Sequence, residues 1–220
     1  MNLVGFSQTA AILSLGKPGV SLMYCRLRAL LATVLIGVAS ANVPAAAELT
    51  ARAGSLAWQE QRASALARLF VNLKNAGSQT EADAITSEIW SLWYKSGNEK
   101  VDLLLQQARQ LFGEGEQSAS IERIDEALKI APRYAEAWNL RATLMFYMGR
   151  DVESLADIRR TLALEDRHFG ALAGLVMISV RASKWKSALK ALRAALVVHP
   201  YLRERGMLEH LEAMVQRSEL

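Results

Sequence analysis

The 220-residue chain has one cysteine, four prolines and thirteen glycines. The lone cysteine, Cys25, lies near the N-terminus, so the rest of the chain has no partner for a disulfide, no thiolate metal ligand and no cysteine nucleophile. Scarce proline and glycine argue against a turn-rich all-β fold and suit helices. The only histidines are His168, His199 and His210, and none has the H-x3-H or H-E-x-x-H spacing of a metal site. No G-x-S-x-G nucleophile signature occurs. Gly113-x-Gly115 lacks both the third glycine and the preceding strand of a phosphate loop, and reads as a turn. These absences predict no catalytic centre, no metal and no cofactor. Hydrophobic residues make up 51% of the chain, too many for a disordered polypeptide.

Acidic residues are absent from the first 47 positions, which hold Lys17, Arg26 and Arg28. Removing those three bases leaves 23 basic against 22 acidic residues, so the body is almost neutral. A near-neutral body gives no electrostatic case for nucleic acid. Arg26 and Arg28 flank the apolar stretch Ala29–Val38, about half the roughly 20 residues a membrane-spanning helix needs. Two small-x-small sites follow, Ala39-Ser40-Ala41 and Ala45-Ala46-Ala47. Basic flank, short apolar core and small residues together predict a leader with a signal peptide over residues 1–47. The expected location is periplasmic, with no stable membrane span after cleavage; an uncleaved leader would instead be an inner-membrane anchor. Residues 1–22 do not fit a normal leader, whereas Met23 opens a compact basic start, so the true start is read at Met23.

The body repeats every 34 residues. Pro132, Asp166 and Pro200 form one column. Ser120, Ser154 and Ala188 form a small-residue column, and Ala127, Thr161 and Ala195 form another. Apolar columns run beside them: Ile124, Ile158 and Leu192; Leu128, Leu162 and Leu196; Leu104, Trp138 and Leu172. Small residues let two helices approach closely, and the larger apolar ones fill the gaps. Turns are expected at Gly113–Glu116, at Gly149–Asp151 and at Ala182–Lys184. Upstream, Leu66, Leu69, Phe70 and Leu73, then Ile85, Ile89, Leu92 and Trp93, show helical spacing. Ser78-Gln79-Thr80-Glu81 is a capping box, and Gly97 suits a helix stop. Trp58, Trp90, Trp93, Trp138 and Trp185 sit at helical positions that read as packing. Acids at helical spacing from arginine, such as Asp157 and Arg160, read as solvated faces.

Over residues 101–202 this pattern resembles the tetratricopeptide-repeat (TPR) family. The middle unit answers to its motif with Trp138, Ala142, Met145, Ser154 and Ile158, and the last with Leu172, Val176, Ala188, Leu192, Ala195 and Pro200. Arg141 and Asp166 depart from it, standing where an apolar residue and proline are usual. The resemblance implies an all-α fold, a right-handed superhelical stack of antiparallel helix pairs. Residues 48–100 then read as a divergent N-terminal helical repeat, 101–202 as three TPR-like repeats and 203–220 as a C-terminal capping helix. About nine helices and no strand are expected.

In such a stack the first helices of successive units line an inner groove. Residues beside the packing columns face it: Leu105, Arg109 and Phe112 in the first unit; Asn139, Thr143, Phe146 and Tyr147 in the second; Ala173, Met177, Val180 and Arg181 in the third. Within each unit they share one helix face. Apolar area with one amide and two guanidinium groups suits a protein or peptide segment, Arg109 and Arg181 meeting its acidic groups. The family's carboxylate-clamp members pair Lys and Asn on successive first helices; only Asn139 answers here, so a chaperone C-terminus is not expected. The predicted role is non-enzymatic binding of a protein in the cell envelope. The alternative is a structural accessory subunit of an envelope or secretion complex, and the groove could also be filled by the chain's own N-terminal or closing helix.

Intact-mass measurement of the protein from its native host checks the leader. The expected mature N-terminus is near Asn42 or Glu48, with translation from Met23. A species retaining residues 1–22 contradicts the start site.

Overall fold

Local rules fix the helix ends. The computed structural model describes residues 56–218, so the leader at 1–47 lies outside the described residues. The first helix, α1, covers residues 56–74. α2 (Gln79–Trp93) starts at Ser78, whose hydroxyl accepts the Glu81 N–H, while the Glu81 carboxylate accepts the Gly77 N–H at 2.8 Å. Three antiparallel pairs follow: α3 (Glu99–Gly113) with α4 (Gln117–Ile130), α5 (Ala135–Tyr147) with α6 (Asp151–Leu164), and α7 (Phe169–Arg181) with α8 (Trp185–Val198). A 3-10 turn, Arg203–Met207, leads into α9 (Leu208–Arg217), which packs on α8. The described residues form nine α-helices and no strand. This is an all-α, TPR-like solenoid.

The turn inside each pair is built the same way three times. The left-handed position is Gly115 (φ 85°), Gly149 (φ 72°) and Ser183 (φ 53°), one per 34-residue period. Beyond it the amides of Glu116, Arg150 and Lys184 each donate 2.8 Å back to the carbonyls of Leu111, Met145 and Ser179. That bond closes the helix end and reverses the chain. Glycine takes the left-handed conformation without steric cost; Ser183 does not, and bears the strain of a Cβ there.

Packing within each pair depends on the small-residue columns. Ser120, Ser154 and Ala188 are fully buried, as are Ala127, Thr161 and Ala195. The Ser120 hydroxyl donates 2.7 Å to the Ala108 carbonyl of α3, and Ser154 repeats the bond to the Ala142 carbonyl of α5. Ile124, Ile158 and Leu192 fill the remaining space.

Arg141 shows why it replaces an apolar residue. From α5 its fork meets both oxygens of Asp157 on α6 at 2.8 Å, and its third nitrogen meets Asp125 on α4 at 2.7 Å. The Asp157 hydrogen bonds, then those to Asp125, raise the guanidinium's pKa despite its burial. Asp157 is therefore not a solvated partner of Arg160: it is 4% exposed and holds α6 to α5, while Asp125 ties that repeat to the one before it. Planar bidentate pairing needs arginine and not lysine.

Ala195→Trp tests the packing register. Ala195 has no exposed surface, and overpacking a core costs about 1–3 kcal/mol, with an indole at the upper end or beyond. Thermal unfolding should show a marked fall in Tm; an unchanged melt contradicts the register.

Candidate functional site

The inner helices α5 and α7 hold a cleft of about 190 Å³ between them. Its lining includes Asn139, Thr143, Phe146 and Tyr147 from α5, and Ala173 and Met177 from α7. Small side chains and bare backbone make the floor: Ala142, Ala171, Gly170 and Gly174. Both glycines sit close against neighbours, Gly170 the more tightly. A Cβ on Gly170 would come within 2.9 Å of the Trp90 ring, and one on Gly174 within 3.2 Å of Ile158. Glu204, in the 3-10 turn after α8, also lines the cleft, and the sequence pattern had not indicated it.

Several residues expected in the groove do other work. Leu105 is 1% exposed and belongs to the core of the first pair, so it is a packing residue and not a groove residue. Asn139 is buried, and its amide donates 3.0 Å to Glu136. Thr143 returns its hydroxyl proton to the Asn139 carbonyl. Phe112 is partly buried against the first core, its ring 5.5 Å from Tyr147. Arg181 is committed within the fold, whereas Arg109 makes a ring contact and leaves a buried guanidinium nitrogen without a hydrogen-bond partner. Arg181 pairs with Asp151 at 3.0 Å, donates to the Phe146 carbonyl and stacks 3.6 Å from the Phe146 ring centroid. Arg109 lies over Tyr94 of the α2 end at 4.7 Å. Val180 is partly buried against the α8–α9 core. The exposed apolar and aromatic surface is Tyr147 at 65% and Met177 at 38%, beside the outer part of the committed Arg181.

One edge of the stack, made by the turns between repeats, is covered by the α1–α2 hairpin. The sequence reads this pair as a divergent repeat; in space α2 reaches all three later junctions. Trp93 accepts the Tyr134 hydroxyl at its carbonyl and stacks flat on His168, 4.0 Å between rings. Burial raises the Tyr134 phenol's pKa. The Thr86 hydroxyl meets His199 Nε2 at 2.9 Å, and the Tyr201 hydroxyl donates to the Ala76 carbonyl at 2.7 Å. Phe169, Val198, Tyr201 and Leu202 complete the apolar seam. Under it His168 caps α7: its Nδ1 accepts the Ala171 N–H, so the ring proton lies on Nε2, 3.3 Å from the Glu136 carboxylate. Glu136 thus gathers Asn139 and His168 into one buried network.

The comparisons agree with this geometry. No protein-family model matches the chain. A TPR repeat-containing protein of Rhizobium etli is 38% identical over 135 residues, covering 61% of this chain and 66% of that protein. The first TPR of Spaghetti (RPAP3), solved bound to the HSP90 peptide SRMEEVD, aligns with a TM-score of 0.51 at 17% identity, over 54% of this chain and 94% of that one. The TPR domain of Arabidopsis OM64 aligns at 0.50 and 14% identity, over 54% and 97%. These likenesses show the fold. The chain belongs to the tetratricopeptide-repeat family.

The seam should weaken in acid. His199 is 3% exposed, its Nδ1 has no partner, and burial holds its pKa below the usual 6.5 against the opposing pull of Asp83. The unfolded chain binds this proton more readily, so stability is full above about pH 6.5 and falls as pH drops towards the folded pKa. The slope from one such group is at most about 1.4 kcal/mol per pH unit. Urea unfolding between pH 7.5 and 5 should show this loss, and His199→Gln should flatten it; identical profiles contradict the assignment.

Proposed function

We propose that this chain is a non-enzymatic binding module that holds a segment of another protein in its inner groove, centred on the α5–α7 cleft. The observation that carries this reading is the cleft itself. Exposed Tyr147 and Met177 and the half-buried Phe146 surround a floor of small residues. Aromatic and methionine side chains on a shaped apolar surface are what protein interfaces favour. Its polar groups, Asn139, Thr143 and Arg181, bond inward and hold the helices in place. A catalytic site needs converging ionisable groups with open valences, and Glu204 is the one charged side chain that lines this cleft. The solved Spaghetti domain holds a peptide, which lends support by likeness of fold. No helix among the described residues is long and apolar enough to cross a membrane. The periplasmic location and the role in the cell envelope rest on the leader read at residues 1–47.

Affinity capture from envelope extract with wild-type and variant chains tests the reading. Tyr147→Ala and Met177→Ala should each weaken capture, by about 1–3 kcal/mol for a hot residue, with helicity unchanged. Lys190→Ala, exposed on the outer helix α8, should have no effect. The reverse pattern moves the partner to the convex surface and favours a structural spacer in a larger complex.

A further inference from the structure

We infer that the α5–α7 cleft selects a segment bearing one bulky apolar side chain with a lysine or arginine within a helical turn of it, and rejects acidic segments. This rests on the groove reading above. The cleft's volume of about 190 Å³ is the space of one large apolar side chain, since a cavity of about 150 Å³ accommodates benzene. Ala142, Ala173 and Gly174 leave that space open, and Phe146 and Met177 wall it.

Charge then decides what flanks the anchor. Glu204 lines the cleft and forms no hydrogen bond or ion pair with any described residue. Among the described residues no cation lines the cleft: Arg181 beside it is engaged by Asp151 and the Phe146 carbonyl, and Arg109 lies away from it over the face of Tyr94. Arg203 and Arg205, on either side of Glu204, line a different recess with Gln79 and Asp83. The Asn139 amide is held by Glu136. An acidic segment would meet an unpaired carboxylate with no cation to answer it, and specificity of this kind comes as much from repulsion as from attraction. A basic side chain would pair with Glu204.

Fluorescence anisotropy with the full chain and three labelled probes tests this. Two are capped alanine-based 12-residue peptides with a central leucine, one carrying lysine and the other glutamate four residues on; the third is SRMEEVD. The lysine probe should bind about two- to fivefold tighter than the glutamate probe at low salt, the range of a partly exposed ion pair. SRMEEVD should not saturate. Glu204→Gln should abolish the preference, Glu204→Lys should reverse it, and Met177→Ala should weaken the lysine probe. Equal binding, no binding by any probe, or preference for the glutamate probe or SRMEEVD overturns the inference. If an acidic probe wins and Met177→Ala weakens it, the groove reading survives with a different ligand chemistry. If the lysine probe is preferred but Met177→Ala and the Glu204 variants leave its binding unchanged, the groove reading itself fails.

Discussion

A serine hydroxyl on each of two outer helices donates to a carbonyl on the inner helix before it, Ser120 to Ala108 and Ser154 to Ala142. Such a bond is made only when the two backbones lie close, which the small side chains allow. The third pair keeps the close approach with Ala188, fully buried, and omits the bond. Everything else follows from that spacing. The 34-residue turns set each pair's geometry, and the apolar columns fill what the small residues leave. The inner helices α5 and α7 then stand far enough apart to hold a cleft.

Apolar packing runs across the repeat boundaries, from α3 and α4 to α5 and from α5 and α6 to α7, and polar groups tie the same boundaries. Arg141 binds carboxylates from the two neighbouring outer helices at once. Arg181 crosses from the third repeat to Phe146 and Asp151 of the second. The Glu136 network joins α5 to α7 beneath the Trp93 and His168 stack. Removing one partner of such a buried group leaves the other unpaired, which costs more than the bond is worth. The same commitments take Arg181 and the Asn139 amide out of the groove. The recognition surface is left with aromatic, thioether and small apolar groups, and with the Glu204 carboxylate.

The repeat was legible because each column repeats a size and polarity at a fixed interval, and turn residues mark the ends. Gly115, Gly149 and Ser183 fall in the left-handed position where the turns were expected. Groove residues were harder to read, because helical spacing gives a face but not a depth. Leu105 shares a face with Arg109 yet points into the core. Asn139 and Arg181 were read as free donors because their acceptors lie elsewhere: Glu136 one turn away, and Asp151 across a repeat boundary. Glu204 sits in a non-repeating turn, so no column could mark it. The seam of α2 against His168, His199 and Tyr201 joins residues more than 70 positions apart, with no periodic trace.

The central claim is that recognition happens on the inner face, between α5 and α7. Backbone amide NMR of the labelled full chain, titrated with the lysine-bearing probe, tests it most directly. The expected result is shift changes confined to the helices carrying Thr143, Tyr147, Ala173 and Met177 and to the turn at Glu204. Changes centred on the outer helices α4, α6 and α8, with the inner helices undisturbed, would contradict it.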